Sequence, residues 1–328
     1  MPTLPTLIPV IPEMFVLGMG CFILVVDTFL SDRSRVVTHW LSLATIAASA
    51  WLTVTVAQTG GLLTFNDMFE NDSMGNVLKL FTYLVVALTF LYSRDYLRDR
   101  SLFKGEFYVL GLFGMLGMMV MISAHNFITI YLGLELLSLS LYAMVALDRD
   151  SPIASEAAMK YFVLGAIASG TLLYGMSLLY GATGTLDLTR LGMHIAESAD
   201  INIGVLLALG FVIVGLCFKL GAVPFHMWLP DVYEGANTPV TMYIGSAPKI
   251  AAFALFMRLL VAGLGSLHLE WHAILTVLAV LSMGIGSIVA IVQTNLKRLL
   301  AYSTISHVGF ILLGILAGTT EGYQAAMF

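Results

Sequence analysis

Apolar stretches of roughly 17–25 residues recur along the chain, separated by short polar breaks, and each is long enough to cross a bilayer as a helix. They lie near 7–29, 38–58, 76–93, 107–123, 125–147, 156–181, 203–230, 238–263, 272–294 and 299–319. Hydrophobic residues make up 59% of the chain and charged ones only 11%, whereas a soluble domain carries roughly a quarter charged residues. Such a chain cannot clothe its surface for water. The sequence therefore predicts an all-α polytopic membrane protein with about ten spans. Soluble enzymes are excluded, and with no basic patch nucleic acid is not an expected partner. Cys21 and Cys217 both lie in apolar runs, the setting of core residues rather than of a disulfide or metal pair. The N-terminal MPTLPTLIPVIPEM lacks a positive stretch and a small-residue cleavage site, so the first run is expected to be retained as a span.

Basic residues alternate from loop to loop. Arg33 and Arg35 follow the first span, Arg94, Arg98, Arg100 and Lys104 the third, Arg149 the fifth, and Lys297 and Arg298 the ninth. The intervening loop 59–75 carries Asp67, Glu70 and Asp72 and no basic residue, 182–202 has only Arg190, and 264–271 has neither Lys nor Arg. By the positive-inside rule the basic loops face the cytoplasm and the N-terminus lies outside. The segment LDLTRLGMHIAE at 186–197 reads as a short amphipathic helix on the outer surface.

Several ionisable side chains fall inside these spans. Glu135 lies midway along the fifth, Lys219 late in the seventh, Lys249 near the middle of the eighth and His307 within the tenth. A charged residue at a helix centre costs about 2.5–3.5 kcal/mol on insertion scales. Such groups are tolerable when they pair or face internal water, and their default reading is an ion or proton path. Plainer readings exist for others. Lys160, beside Glu156 near the start of its span, can snorkel to the interface, as can Arg258. Lys297 and Arg298 serve topology first. His226 and His307 taken alone can be satisfied core histidines. His268 and His272 have the spacing of a metal-binding helix but sit at a span end with Glu270 and Trp271, where an interfacial belt is the simpler reading.

The stretch CFKLGAVPFHMWLPD at 217–231 joins a charge to a break. Pro224 donates no hydrogen bond and obstructs the carbonyl of Leu220 in a continuous helix, and Gly221 permits an unwound backbone. A break in hydrocarbon persists only where protein or water satisfies the freed groups, and transporters place discontinuous helices at mid-membrane ion sites. Water is thus expected beside Lys219 and His226. Pro248 directly precedes Lys249 in the next span, repeating the proline–lysine pairing. A lysine that exchanges protons near neutral pH must hold its proton about 4 kcal/mol less tightly than in water. A carboxylate whose distance changes can supply that switch, and Glu135 and Lys219 have the right chemistry for it.

These segments also carry a resemblance. IYLGLELLSLSLYAMVAL, EAAMKYFVLGAIASG, GLCFKLGAVPFHMWLPDVYEGANTPVT and QTNLKRLLAYSTISHVGFILLG are similar to the proton-translocating, antiporter-like membrane subunits of respiratory complex I. That superfamily also contains the multi-subunit sodium/proton antiporters. The resemblance runs from the third span onward, and KLGAVPFHMWLPDVYEGA is highly specific to the superfamily. DVYEGANTPVT, TNLKRLLAYSTISHVG and the short N-terminal region are softer features that point to one bacterial NADH:quinone oxidoreductase subunit type. The resemblance implies a fold of fourteen core helices with two inverted five-helix repeats, each with a broken helix, along a hydrophilic axis. It divides the chain into an N-terminal three-span region (1–106), a first repeat with the broken seventh helix (107–263) and the start of a second repeat (264–328). It implies that Glu135, Lys219, Lys249, His226, His307 and Lys160 form a proton relay, with Lys160 pairing near the glutamate. The tail TEGYQAAMF begins another helix and stops, so a truncated chain is the expectation, and the lysine of the second broken helix is not among these residues.

The leading functional expectation is a proton-translocating subunit of NADH:quinone oxidoreductase, driven by redox chemistry elsewhere. No cofactor is expected in this chain. The expected partners are the other membrane-arm subunits, the peripheral redox subunits indirectly, lipid, and the ubiquinone or menaquinone used by the complex. The alternative is a subunit of a multi-subunit sodium/proton antiporter, without redox partners. A structural membrane subunit with vestigial charges is a third reading. A membrane cytochrome is weaker, because paired haem-ligand histidines on facing spans are not evident.

Overall fold

Helices α1 (Ile11–Phe29), α2 (Val36–Val56), α3 (Ser73–Asp99), α4 (Gly105–Ile122) and α5 (Phe127–Val145) occupy the first half of the chain. Short strands β1 (Leu62–Thr64) and β2 (Phe69–Asn71) interrupt them. The second half holds α6 (Pro152–Thr183), α7 (Leu188–Glu197), α8 (Ile203–Leu220), α9 (Trp228–Gly235), α10 (Thr238–Phe256), α11 (His268–Ile291), α12 (Leu296–Leu316) and α13 (Thr320–Met327). These elements come from a computed structural model that describes residues 7–31, 34–57, 60–197 and 202–328. Arg33, one of the topology-setting residues, and the N-terminal MPTLPT lie outside the described residues. Among the described residues, ten helical segments are long and apolar enough to cross a membrane, as the spacing predicts. α7 falls on the expected amphipathic segment, burying Leu188, Leu191 and Ile195 along one face. The β1–β2 hairpin was not anticipated; it pairs Leu62 with Asn71 and Thr64 with Phe69 in a stretch expected to be plain loop.

Side chains that end the polar breaks also start the helices. Asp72, Asn126, Asn202, Asn295 and Thr319 each accept a hydrogen bond from a backbone N–H in the first turn of α3, α5, α8, α12 and α13. These caps satisfy donors that a bilayer-spanning helix cannot pass to water in its interior.

The chain divides into two compact units. The first contains residues 1–152 and 237–254. Here α2 turns a stripe of small polar residues inward: Thr38, Ser42, Thr45, Ser49 and Thr53 are all buried. Ser42, Thr45, Ser49 and Thr53 donate their hydroxyls to carbonyls one turn back, so the stripe carries little unsatisfied polarity. Small residues let membrane helices approach closely. α4 and α5 show this at its extreme. A Cβ at Gly117 would lie 2.5 Å from the Leu137 nitrogen, and one at Gly133 would lie 2.7 Å from the Met121 nitrogen. Any side chain there would push apart the helix pair that carries Glu135. The Tyr243 hydroxyl, on α10, donates to the Gly111 carbonyl at 2.7 Å and ties α10 to α4.

The same unit contains a buried ion pair that the sequence reading passed over. Lys79 Nζ lies 2.5 Å from Glu13 Oε1, with side chains 2% and 5% exposed. The Lys79 ammonium also lies 5.0 Å from the centre of the Phe69 ring on β2, so the hairpin helps to cover it. Thr53 and Tyr83 share a hydroxyl hydrogen bond at 3.0 Å, joining α2 to α3.

The second unit contains residues 153–236 and 255–328. α11 and α12 form its main antiparallel pair, with α9 and α13 packed on α12. α7 packs on Met257–Gly263, where the helix that begins as α10 widens into π-type turns. Cys217 is buried in α8, as expected for a core residue; Cys21 in the first unit lies instead on an exposed face of α1, the kind of surface that lipid covers.

Breaking the Glu13–Lys79 pair from one side leaves a buried charge without its counter-charge, which typically costs about 3–5 kcal/mol, whereas removing both charges is often near neutral. Lys79→Met and Glu13→Gln are therefore expected to lower the thermal unfolding midpoint of the purified protein well below that of the Glu13→Gln/Lys79→Met double variant. Additive losses in the double variant would show that the two side chains do not act as a pair.

Candidate functional site

The break after α8 is built from its last turn. Gly221 caps α8 in the left-handed region at φ 82°, a conformation that a β-carbon disfavours. Its N–H reaches back to the carbonyls of Cys217 and Phe218, and the Ala222 N–H also bonds to the Cys217 carbonyl at 2.9 Å. The helix thus ends before Pro224. The break expected within 203–230 is thus a glycine-capped helix ending at Leu220, a non-helical stretch at 221–227 and the separate helix α9. The physical reason is that the left-handed glycine closes the hydrogen-bond ladder before the proline ring can clash with it.

Neighbouring side chains satisfy the backbone that this break frees. The Val223 N–H donates to Ser282 Oγ on α11 at 2.9 Å, and Ser282 is fully buried. Trp228 Nε1 donates to the Phe218 carbonyl at 3.0 Å. The Trp228 ring stacks on Tyr161 of α6 at 4.6 Å and an interplanar angle of 10°. One aromatic side chain thereby fixes the distance between α8, the break and α6. An apolar cleft of about 220 Å³ opens beside the break, lined by Ala168, Thr171, Phe218, Pro224 and Trp228 among others.

Lys219 occupies the last turn of α8 and is half-buried. Its Nζ donates to Ser169 Oγ of α6 at 3.3 Å. The carbonyl end of a helix carries negative partial charge, so the ammonium sits at the electrostatically favourable terminus. His226 lies within the break, half-buried, with its ring centre 6.4 Å from that of Tyr302 on α12. His307, also on α12, is exposed beside Phe310 at 6.2 Å. It does not join Lys219 or His226 in the interior of this unit. Glu135 and Lys249 belong to the first unit, where both are half-buried. Glu135 Oε1 is enclosed and has no hydrogen-bond partner among the described residues. α10 runs without interruption through Pro248, directly before Lys249.

Lys160 does not snorkel alone. Its Nζ lies 2.8 Å from Glu156 Oε1, and also 2.8 Å from Asp231 Oδ2 of α9. Asp231 Oδ1 in turn accepts from Arg298 Nη1 at 2.9 Å, and the same nitrogen bonds to Glu234 Oε2 at 2.9 Å. Asn295 Nδ2 donates to Glu234 Oε1, and Lys297 Nζ donates to the Ala236 carbonyl at 2.6 Å. The helix after the break is therefore held on one side by α6 and on the other by the start of α12. Burial pushes the Asp231 carboxyl up, but the hydrogen bonds and charges of Lys160 and Arg298 outweigh it and hold the pKa below the ordinary aspartate value. The stabilisation from this clamp is thus complete above the ordinary aspartate range and is lost as pH falls through the depressed value.

Asp231, Glu234 and Arg298 were not among the expected site residues. Their signal in the sequence is faint: two acids three apart in LPDVYEG and a basic pair opening the tenth span, opposite in sign. Among the described residues no group of three His, Cys, Asp or Glu side chains is arranged to hold a metal ion.

Asp231 serves two cations, whereas Glu156 serves only Lys160 within its own helix. Asp231→Asn is therefore expected to speed amide hydrogen exchange across α9, and Glu156→Gln to leave it close to wild type. Equal protection of α9 in both variants would remove Asp231 from this role.

Residues 124–328 match the family described as NADH:quinone oxidoreductase/Mrp antiporter, transmembrane. The chain is 62% identical over 326 residues to NADH-quinone oxidoreductase subunit N of Thioalkalivibrio sulfidiphilus, covering 99% of this chain and 68% of that protein. It is 56% identical to the protein of the same name from Nitrosomonas europaea, with the same coverage of 99% and 68%. The chain thus spans about two thirds of the length of these relatives. Among solved structures it is similar to a chain of respiratory complex I from Thermus thermophilus, with a TM-score of 0.78, 30% identity and coverage of 94% of this chain and 65% of that one. A chain of the archaeal membrane-bound sulfane sulfur reductase matches with the same TM-score of 0.78 at 24% identity, covering 98% of this chain and 69% of that one; this is a likeness of fold alone.

Proposed function

The chain belongs to the NADH-quinone oxidoreductase subunit N family, and on that premise we propose that it moves protons across the membrane as a non-redox subunit of NADH:quinone oxidoreductase. The redox centres and the quinone reaction fall to other subunits of the complex. Its partners are the neighbouring membrane-arm subunits, and its place is the bacterial inner membrane, with the N-terminus on the periplasmic side and the basic loops in the cytoplasm. The orientation rests on the alternation of Lys and Arg between loops.

The observation that carries this reading is the placement of Lys219. A lysine stands in the last turn of a membrane helix, two residues before a left-handed glycine that ends it. Its ammonium is held by the Ser169 hydroxyl. The surrounding backbone is satisfied by Ser282 and Trp228 rather than by a continuous helix. The distortion maintains a polar region beside a titratable nitrogen, as a proton-holding station requires. Ser169 accepts from Lys219 Nζ while the lysine is charged; its own hydroxyl can rotate to donate once the proton leaves. His226, in the break, is the next titratable side chain after Lys219.

In the first unit Glu135 and Lys249 are the corresponding titratable groups, each within a membrane span. Lys160, bound to Asp231 and Glu156, sits near the start of α6, at the cytoplasmic end in this orientation, and joins the relay as a fixed cation there. His307 takes part from the exposed face of α12. Each proton moved against 100 mV requires about 2.3 kcal/mol. None of these groups generates that free energy, so the drive comes from redox chemistry in the rest of the complex. The names of the curated relatives favour this reading over a sodium/proton antiporter.

In the intact complex, Lys219→Ala and Glu135→Gln are each expected to lower proton pumping and coupled quinone reductase activity several-fold while the complex still assembles. Pumping would be measured by a pH-sensitive dye in inverted membrane vesicles. Wild-type pumping in both variants would overturn the relay.

A further inference from the structure

The buried Glu13–Lys79 pair lies outside the relay, and its surroundings lead by short steps to Glu135. Glu13 is in the first turn of α1, and Lys79 is nearly two turns into α3. An enclosed ion pair adds little stability over an apolar pair of the same size, so its use is to be sought in what the charges touch. The Lys79 ammonium, held by Glu13 at 2.5 Å, lies 5.0 Å from the centre of the Phe69 ring. Phe69 is itself buried, and a cation–π contact is stronger where water is excluded.

Phe69 opens β2, and β2 makes a second pairing away from β1. Phe69 and Ala124 form an antiparallel bridge. The Glu70 N–H donates to the Ser123 carbonyl at 2.8 Å, and the His125 N–H donates to the Met68 carbonyl at 3.1 Å. The Glu70 carboxylate also meets His125 Nδ1 at 3.1 Å. Residues 123–126 are the whole connection from α4 to α5, and all four are buried. Backbone polar groups buried in a turn need partners from elsewhere, and here the hairpin supplies them. Its other side is fixed as well. Asn71 Nδ2 donates to the Val56 carbonyl at the end of α2 at 2.9 Å, and Asn76 Nδ2 donates to Asn71 Oδ1 at 2.7 Å.

That buried turn sets where α5 starts. Asn126 caps the helix by accepting from the Ile128 N–H at 2.9 Å. Glu135 follows further along the same helix, about 13 Å from the cap at the usual rise per residue. Between them Gly133 meets α4 with no room for a side chain, so the two helices shift as one packed pair. A displacement at the turn therefore reaches the depth of Glu135 in the membrane. We propose that Lys79 is a positioning residue for Glu135: held by Glu13, it fixes Phe69 and the hairpin, and the hairpin fixes the start and depth of α5. The consequence for proton transfer rests on the relay reading; the anchoring of α5 does not.

The test uses the intact membrane complex carrying Glu13→Gln/Lys79→Met, which strands no charge, or Phe69→Leu, which keeps both charges and an apolar cover but removes the ring. Lys79→Arg keeps the cation and serves as the rescue. Two readouts are local: amide hydrogen exchange over residues 68–71 and 124–130, and labelling of Glu135 by a hydrophobic carbodiimide, located by mass spectrometry. Proton pumping is the third. In the double variant and in Phe69→Leu, exchange over both segments is expected to rise about five-fold, equivalent to the loss of about 1 kcal/mol of cation–π contact. Glu135 is expected to be labelled several-fold faster, and pumping to fall. Lys79→Arg should retain most of the wild-type behaviour in all three. If the double variant does not assemble, Phe69→Leu carries the test. Wild-type exchange and wild-type labelling of Glu135 in the assembled variants would overturn the proposal. A loosened hairpin with labelling of Glu135 unchanged would confine the pair to a local anchor, and would also overturn it. Faster labelling with wild-type pumping would uphold the positioning and remove Glu135 from the relay instead.

Discussion

A helix that ends inside a bilayer exposes backbone groups to a solvent that cannot satisfy them, at a cost of several kcal/mol each. That constraint organises the second unit. Gly221 folds two N–H groups back onto the Cys217 and Phe218 carbonyls, Ser282 takes the Val223 N–H, and Trp228 donates to Phe218. Each partner comes from a different element: the end of α8, the middle of α11 and the start of α9. The discontinuity is therefore a junction to which neighbouring helices are fitted. It also sets the position of Lys219, in the last turn before the cap.

The same reasoning explains why charges gather where they do. The cluster of Lys160, Glu156, Asp231, Glu234 and Arg298 lies at helix starts, partly exposed, where water still shares the task of solvation. Exposed pairs of this kind contribute little individually. Their effect is geometric, since Asp231 links Lys160 of α6 to Arg298 of α12, while Glu156 pairs with Lys160 and Glu234 with Arg298. The Glu13–Lys79 pair is the opposite case, almost wholly enclosed, where removing either partner would leave a buried charge without its counter-charge.

Much of the architecture was legible before any coordinates, because the bilayer imposes a length and a polarity that a sequence displays directly. Ten apolar runs became ten candidate spans among the described residues, and LDLTRLGMHIAE became α7. The break near Gly221 and Pro224 was visible because those two residue types act locally on the backbone. Its detail was harder to see: the glycine ends the helix first, and whether a left-handed cap forms depends on what waits to satisfy the next N–H. Pro248 shows how context changes the outcome, since α10 continues through it.

The span number, the helical class and the residues that could carry protons follow from the sequence, since each depends on residue type and on neighbours within a few turns. Partnership does not. Asp231 meets Lys160 across 71 residues and Arg298 across 67. Ser282 reaches Val223 across 59. Glu13 and Lys79 join helices that a hairpin separates. Separations of this kind are closed by helix packing, and helix packing is decided by small residues such as Gly117 and Gly133 whose significance lies in what they allow to approach. The exposed position of His307 on α12 belongs to the same class. Its residue type made it a candidate, but only the direction in which its helix face points determines what it can touch.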